Sequence, residues 1–223
     1  MLYQTLVILL FLPVVSAIPT SQGLEWGVRL GSRADYTLSS NWPGLVMNEN
    51  IYMNVTAMPG AAMPDPVTTW LSIPDPSIDF WWANGTNMGL TALLFIPIYA
   101  VGGQFVAPIG NWTLLQILLA TALTGETFSS TSSLWQVEYK ININATAEYR
   151  ITLAYSKTDG FFSVYKYETW NTVTSTLVHH IHATRTGMTT TFDIVGFLKD
   201  NMLLVGAAVV VIVILGVVCA KRK

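Results

Sequence analysis

The clearest hydrophobic pattern in the chain is a strict alternation over residues 135–143. Trp, Val, Tyr, Ile and Ile occupy every second position, and Gln, Glu, Lys and Asn fill the positions between them. Such alternation is typical of a half-buried antiparallel strand. Apolar residues alternate again over 149–155, and residues 158–160, Thr-Asp-Gly, have the composition of a tight hairpin turn. Residues 161–170 and 173–182 complete a predicted meander of about four strands.

Weaker patterns predict further strands in the first half of the chain. Residues 25–31 and 33–38 are short strand candidates, and residues 39–44 have the composition of a turn. Residues 51–57 alternate well and place Asn54 on the outward face of a strand. The strands of both halves together predict an antiparallel sheet.

Residues 58–80 are rich in proline and contain Pro-Asp-Pro twice, ten residues apart. Each Pro-Asp-Pro disfavours helix and favours an extended or turn backbone. Three tryptophans, Trp70, Trp81 and Trp82, lie in this stretch or just after it. We expect them to anchor the loop to the core, because aromatic side chains bury a large apolar area. A platform on which sugars stack is the alternative.

The chain carries no charged residue from position 80 to position 125. Within this run, residues 90–102 are strongly apolar, but Pro97 interrupts them before they reach the length of a membrane span. Residues 111–125 predict a helix that its first residue, Asn, caps and its final Gly ends. Because its polar positions bear no charge, we expect this helix to be mostly buried or to line an apolar ligand, with two further membrane spans as the alternative. The candidates for core or apolar-ligand contact are Leu94, Phe95, Ile96, Ile98, Tyr99, Leu114, Leu115 and Leu118.

Two hydrophobic stretches frame the chain. Residues 201–220 contain no charge and precede three basic residues, and a helix of that length, at about 1.5 Å per residue, spans the roughly 30 Å core of a bilayer. Residues 1–17 have the layout of a cleavable signal peptide, with an uncleaved anchor as the alternative. The positive-inside rule then predicts a type I protein of the plasma membrane. Its parts are a signal peptide at 1–17, an extracellular β-rich domain at 18–188, a juxtamembrane stalk at 189–200, a transmembrane helix at 201–220 and a cytoplasmic basic stub at 221–223.

The charge balance of the predicted outer part excludes one class of partner. Three of the 11 Lys and Arg residues lie in the stub, so residues 18–200 carry eight against 13 acidic residues, a net charge near −5. Nucleic acid is not expected as a partner, because phosphate binding needs a basic surface. The single cysteine, Cys219, lies within the predicted span. We interpret it as a passive apolar residue, with acylation as the alternative, and the outer domain must be stable without disulfides.

Four Asn-x-Thr sequons are spread over the predicted outer domain. They begin at Asn54, Asn84, Asn111 and Asn144. Because such glycans lie on the outer side of the membrane, we expect these asparagines to be glycosylation sites of a surface protein. Chance occurrence is the alternative, since the Ser and Thr content alone predicts roughly two such matches.

Candidate chemistry is sparse in this sequence. In a strand, His180 and His182 would share the polar face while His179 points to the other side. Two imidazoles could contribute to a zinc or copper site, but the sequence supplies no evident third ligand, so we interpret these histidines as solvent-facing. The sequence has no Gly-x-Ser-x-Gly, His-Glu-x-x-His, Walker A or Gly-x-Gly-x-x-Gly motif. We therefore predict no catalytic residue, no metal and no cofactor.

The plan of a signal peptide, a disulfide-free β-rich domain and a terminal span with a basic stub resembles single-pass archaeal surface proteins of unknown function. Trp26-Gly27, residues 111–115 and residues 158–162, with the tyrosine-rich strand after them, carry this resemblance. Strands at 135–182 around an apolar helical segment also resemble the LolA/LppX-type lipoprotein carriers. That second resemblance implies a curved antiparallel sheet over helices that shelters acyl chains. The carriers are soluble or lipid-anchored, however, and no ligand residue can be carried over.

Together these features predict an α+β, β-rich fold, in which an antiparallel sheet packs on the apolar helical segment and one C-terminal transmembrane helix follows. The leading function is a membrane-anchored, non-enzymatic extracellular surface protein in envelope structure or protein contact. Its expected partners are the lipid bilayer and other surface proteins or a lipid. The alternatives are a module that binds an apolar ligand, a lipid, through residues 90–123, and a surface hydrolase of unrecognised type.

Overall fold

Eight antiparallel strands form a single sheet in the computed structural model, which describes residues 19–187. The strands are β1 Arg33–Trp42, β2 Leu45–Ala57, β3 Ser77–Trp82, β4 Glu126–Ser130, β5 Leu134–Asn144, β6 Ala147–Ser156, β7 Phe162–Asn171 and β8 Thr176–Thr186. Their order across the sheet is β3-β2-β1-β8-β7-β6-β5-β4. Two runs of consecutively paired strands therefore meet where β1 pairs with β8, and β3 and β4 form the edges.

Short helices cover one face of the sheet. Two 3-10 helices span Trp70–Ser72 and Gly89–Phe95, and two α-helices span Pro97–Ala100 (α1) and Trp112–Ala122 (α2). Asn111 caps α2 as predicted, because its Oδ1 atom accepts a hydrogen bond from the backbone N–H of Leu114 at 3.0 Å. The helix itself ends three residues before Gly125. The β-rich α+β fold with an antiparallel sheet is thus confirmed.

The core lies between the sheet and its helical cover. Phe95 is fully buried, and its ring centroid lies 4.5 Å from that of Phe80 and 5.5 Å from that of Tyr165. Tyr36 of β1 is also fully buried and donates a hydrogen bond to the backbone oxygen of Phe162 at 2.8 Å. Part of the uncharged segment of the sequence therefore packs on the sheet, where burial of its apolar surface stabilises the fold.

The structure corrects two predictions in the first half of the chain. Residues 25–31 do not form a strand, because only an isolated bridge links Glu25 to Ile109. The predicted turn at 39–44 is shorter than expected, since β1 extends through most of it and leaves a two-residue hairpin turn. Gly44 has a φ of 78°, the left-handed conformation that such a turn favours.

Two burial predictions are also wrong. Ile141 and Ile143 are exposed although the alternation places them on a buried face, because the partner strand β4 stops opposite Tyr139. The α2 helix is not mostly buried, since Leu115 and its neighbours on one side are in the core while Ile117 is exposed. The uncharged outer side of α2 therefore faces solvent.

Within residues 19–187, no helix has both the length and the apolar character needed to cross a membrane. The predicted signal peptide at 1–17, stalk at 189–200, span at 201–220 and stub at 221–223 lie outside the described residues.

Candidate functional site

An exposed apolar stripe runs along the same segment that supplies the core. Its four side chains are 52–83% exposed: Leu90, Leu93, Ile96 and Tyr99. They are spaced three residues apart. A 3-10 helix has three residues per turn, so the helix Gly89–Phe95 aligns Leu90 with Leu93 on one side. Ile96 and Tyr99 continue this spacing into the single turn of α1. Phe95 and Ile98 lie between them in sequence and are fully buried. We call the four exposed residues the apolar stripe.

Close packing holds the base of the apolar stripe against the sheet. Pro97 occupies the start of α1, where its missing N–H needs no partner. Gly103 approaches β6 so closely that a Cβ atom there would come within 2.5 Å of the Leu153 Cδ1 atom. The indole N–H of Trp70 donates to the backbone oxygen of Gly102, which ties the proline-rich loop to the end of α1. The apolar stripe is therefore exposed on a segment whose opposite side is fixed.

A carboxyl group borders the apolar stripe. Asp75 retains contact with solvent, yet its partial burial raises its pKa to about 6. Burial, and to a smaller degree the charge of Asp75, raises the pKa of Tyr99. The apolar stripe itself is uncharged, and its border changes charge in mildly acidic solution.

Aromatic side chains line the sheet face beyond the helical cover. The hydroxyl of Tyr165 donates at 2.9 Å to a backbone oxygen of the overlying 3-10 helix, and the next inward residue of β7, Tyr167, is only half-buried. The rings of Trp42 and Tyr167 stack with centroids 5.3 Å apart. The ring centroid of His179 lies 5.5 Å from that of Trp42, and the ring centroid of Tyr149 lies 5.3 Å from that of Tyr167. We call Trp42, Tyr149, Tyr167 and His179 the aromatic floor.

The aromatic floor also contains polar atoms. Burial raises the pKa of Tyr167 to about 12, and the neighbouring Tyr149 adds to the shift. Thr169 faces His179 across β7 and β8, and the Thr169 Oγ1 and His179 Nδ1 atoms are buried without a hydrogen-bond partner in the described part of the chain. Such atoms cost about 1–3 kcal/mol each. Burial of these two atoms therefore opposes the stability of the domain.

The opposite face of the sheet carries the predicted histidine pair. The ring centroids of His180 and His182 lie 4.5 Å apart, and the Nε2 atom of His182 lies 2.8 Å from the Oε1 atom of Glu168. Partial burial lowers the pKa of His182, and the contact with Glu168 opposes that shift. Both rings are half-buried, so they are less solvent-facing than expected. Among residues 19–187, no group of three or more His, Cys, Asp or Glu side chains is arranged to hold a metal ion.

No protein-family model, curated protein or solved structure matches this chain. The resemblances to archaeal surface proteins and to lipoprotein carriers therefore stay predictions, and function has to be inferred from the geometry and chemistry of the molecule.

The structure divides the eight predicted core or ligand residues among three environments. Four are buried in the core: Phe95, Ile98, Leu115 and Leu118. Leu94 and Leu114 are partly buried against the core, and Ile96 and Tyr99 are exposed members of the apolar stripe. A ligand held by residues 90–123 would therefore meet the exposed members, because the buried ones pack against other side chains of the protein.

The predicted tryptophans and sequons lie at separate places in the fold. Trp70 is buried and Trp82 packs against the core, as expected for residues that anchor a loop. Trp81 instead stacks on Tyr52, with ring centroids 6.3 Å apart. Among the sequons, Asn84 and Asn144 are exposed beside turns, Asn54 lies within β2 and Asn111 caps α2.

Sequence reasoning missed the aromatic floor. Trp42 lies in the stretch expected to be a turn, and His179 lies far along the chain from it. The sequence does contain one signal for it, because side chains two residues apart in a strand point to the same face of the sheet. Tyr149 and Tyr167 therefore point inward like the buried residues of β6 and β7. His179 joins them through the pairing of β7 with β8, whereas Trp42 joins only through the pairing of β1 with β8, which no local pattern specifies.

Proposed function

We propose that the protein is a membrane-anchored, non-enzymatic surface protein whose extracellular domain docks on another protein through the apolar stripe. The observation that carries this proposal is the alignment of four exposed apolar side chains on one side of a short helical segment. Single exposed apolar residues are common on folded domains, whereas contiguous ones are typical of interaction surfaces. The segment that carries the apolar stripe, residues 80–125, has no charged side chain, which fits the centre of a protein interface.

A protein surface fits the apolar stripe better than a lipid surface does. Segments that lie on membranes usually combine an apolar face with Lys and Arg side chains that meet anionic headgroups. Residues 80–125 include no basic side chain, and the outer part carries a net charge near −5. An anionic membrane surface would therefore repel the domain as a whole. An apolar protein surface offers the same burial without this repulsion.

The magnitude of the available burial supports a specific contact. Burying a Leu or Ile side chain that was fully exposed contributes about 1.5–3 kcal/mol. Leu90 is 83% exposed and Leu93 is 56% exposed, so most of that contribution is still available at the first and about half at the second. Tyr99 adds an aromatic ring with a hydroxyl group, a residue type that is enriched among the strongest contacts in interfaces.

Membrane anchoring is proposed from the ends of the sequence. Residues 201–220 and the basic stub after them favour a span, and residues 1–17 favour export. These features would place the apolar stripe outside the plasma membrane. The 13 residues from 188 to 200 could extend at most about 45 Å, so partners in the same membrane are within reach.

Photo-crosslinking of the full chain in native membranes tests docking through the apolar stripe. A photoreactive amino acid at Leu93 samples the apolar stripe, and the same amino acid at Leu71, which is 85% exposed in the proline-rich loop, is the control. We expect a crosslinked protein of discrete mass from Leu93 only. The crosslink should be lost when Leu90 and Ile96 are both changed to Ser. The same products from both positions, or none from Leu93, would contradict this role.

An apolar ligand is the second candidate, and the aromatic floor favours it. A lipid acyl chain could lie across the rings of Trp42 and Tyr167, toward the exposed Ile141 and Ile143. Native mass spectrometry of the full chain after mild detergent extraction would then show a bound lipid. Tyr167→Ala should lose it, whereas Tyr52→Ala, on the other face of the sheet, should retain it. A lipid-free wild-type chain would rule this function out.

A further inference from the structure

Two of the four sequons, those that begin at Asn84 and Asn144, hold the Asn and Thr side chains together. The Asn84 Oδ1 atom accepts hydrogen bonds from the backbone N–H of Thr86 at 2.9 Å and from its hydroxyl at 2.7 Å. The Asn144 Oδ1 atom accepts the same pair from Thr146, at 2.8 and 3.0 Å. Both asparagines are exposed: Asn84 lies in the turn after β3, and Asn144 is the last residue of β5, directly before a turn. A bulky group on either Nδ2 atom would therefore extend into solvent.

The Asn111 side chain is already used by the fold. Its Oδ1 atom caps α2, and its Nδ2 atom donates to the backbone oxygen of Gln22 at 2.9 Å. The side chain is part-buried between the helix and the N-terminal segment. A glycan on this nitrogen would have to displace that segment and disturb the cap, whose loss costs about 1 kcal/mol.

Asn54 is constrained by the sheet instead. It lies in β2 between two paired strands, with Arg33 opposite it on β1 and Asp79 opposite it on β3. It is only half-exposed, and the hydroxyl of Thr56 donates to the backbone oxygen of Ser77 at 3.3 Å rather than to the Asn54 side chain. The two side chains of this sequon are therefore not joined as they are in the turn sequons.

We propose that Asn84 and Asn144 are N-glycosylated and that Asn54 and Asn111 are not. The inference rests on the extracellular placement in the proposed function. In the reaction, Nδ2 attacks the anomeric carbon of a sugar that is activated on a lipid-linked phosphate. A C–N bond forms as the C–O bond to the phosphate breaks, the phosphate leaves with the bonding electron pair, and Nδ2 gives up one proton. The glycosylated nitrogen remains an amide, so the two hydrogen bonds to each Oδ1 atom can persist.

The position of the two sites in the sheet agrees with this assignment. Strand β8 ends at Thr186, from where the chain continues toward residues 201–220. Strands β3 and β5 both run antiparallel to β8, so the turns after them open toward the opposite end of the sheet. The glycans would thus lie away from the predicted membrane, where bulky hydrated groups meet least obstruction.

Glycopeptide mapping of the full chain tests the proposal, in cells whose secretory pathway modifies Asn-x-Thr sequons. We expect the wild-type chain to lose two glycan masses on treatment with an amidase that removes N-linked glycans. Asn84→Gln and Asn144→Gln should each lack one of these glycan masses, and the double variant should lack both. Thr86→Ser keeps the hydroxyl and should keep the glycan at Asn84, whereas Thr86→Ala should lose it. Mapping of the wild-type chain avoids any dependence on whether Asn111→Gln folds.

A glycan at Asn54 or Asn111, or a bare Asn84 or Asn144, overturns the assignment. A separate measurement reports the placement of the domain, because Ser132 is exposed in the turn before β5 and can be changed to Cys. A membrane-impermeant maleimide labels Ser132→Cys on intact cells only if the domain is outside the membrane. If it labels the variant while all four asparagines are bare, this inference is overturned and the proposed function stands. No labelling together with four bare asparagines overturns both.

Discussion

Replacing Phe95 by Ala should remove a large part of the stability of the domain. The residue is fully buried where the helical cover meets the sheet, and its ring centroid lies 4.5–6.4 Å from those of four other aromatic residues. Truncation of a buried Phe costs about 3–5 kcal/mol through lost burial and the cavity that remains. Because the four neighbouring rings come from two strands and a loop, they have little freedom to close the cavity. We therefore expect a loss of about 4–5 kcal/mol, out of a total of about 5–15 kcal/mol for a typical domain.

Urea unfolding of the full chain in mild detergent, followed by tryptophan fluorescence, measures this loss. Leu93→Ala is the matched control, because Leu93 lies in the same 3-10 helix and is 56% exposed. Its cost should stay below about 1 kcal/mol, as for most exposed positions. The dependence of the unfolding free energy on urea concentration should be similar in the two variants, so that the midpoints can be compared directly.

A loss below about 1 kcal/mol for Phe95→Ala would refute the assignment of this segment to the core. Equal large losses for Phe95→Ala and Leu93→Ala would show instead that both sides of the 3-10 helix are buried, which would remove the basis for docking through the apolar stripe. Only a large loss at the first position with a small loss at the second agrees with a segment that is core on one side and contact surface on the other.

Three further predictions follow from other parts of the structure. Gly160→Ala should lower the free energy of unfolding in urea by more than about 2 kcal/mol, because Gly160 has a φ of 78° and a Cβ atom there would overlap the backbone oxygen of Ala107. Gly44→Ala is the control, since Gly44 has the same φ but open space around its Cα atom. It should cost only about 1 kcal/mol. Asp75 has a pKa of about 6 in the folded protein, above its ordinary 3.8, so between these two pH values the folded protein binds more protons than the unfolded chain. The stability of the domain should therefore fall as the pH rises from 3.8 to about 6, by less than about 1 kcal/mol because Asp75 contacts solvent. Asp75→Asn should lack this fall. Asn144→Gln should increase self-association of the glycosylated chain in light scattering, because no described strand pairs with the outer edge of β5 beyond Tyr139; Asn84→Gln should have a smaller effect.

The sequence predicted the second half of the sheet well because its physical signal is local. Alternation in β5 to β8 is strong, and each strand pairs with the next through a short turn. Strands β3 and β4 were missed for different reasons. Strand β3 begins within the proline-rich stretch and has only six residues, and β4 (Glu-Thr-Phe-Ser-Ser) is short and polar. Its pairing with β5, which places Phe128 opposite Val137, supplies the order that its own composition lacks.

The candidate site could be predicted only in part. The absence of charge over residues 80–125 singled out the right segment, but an apolar run has no polar positions from which a face can be read. The expected period of the α-helix also does not apply to residues 89–95, where three residues per turn set which side chains are exposed. The aromatic floor depends further on the long-range pairing of Ser40 with Ile181 and the pairs beside it. Such a contact between distant strands is set by the whole fold and not by neighbouring residues.

The segment that carries the apolar stripe also supplies core residues, and this affects binding. All four residues of the apolar stripe are exposed, while Phe95 and Ile98 between them are fixed in the core. The exposed side chains are therefore held on an ordered backbone before any partner arrives. Association then requires little ordering of this segment, and more of the burial energy appears as affinity. It also follows that a change beneath the apolar stripe should weaken binding without touching the partner. Gly103→Ala, which would press on Leu153 and Ile98, should lower both stability and crosslinking from Leu93, whereas Leu90→Ser should lower crosslinking alone.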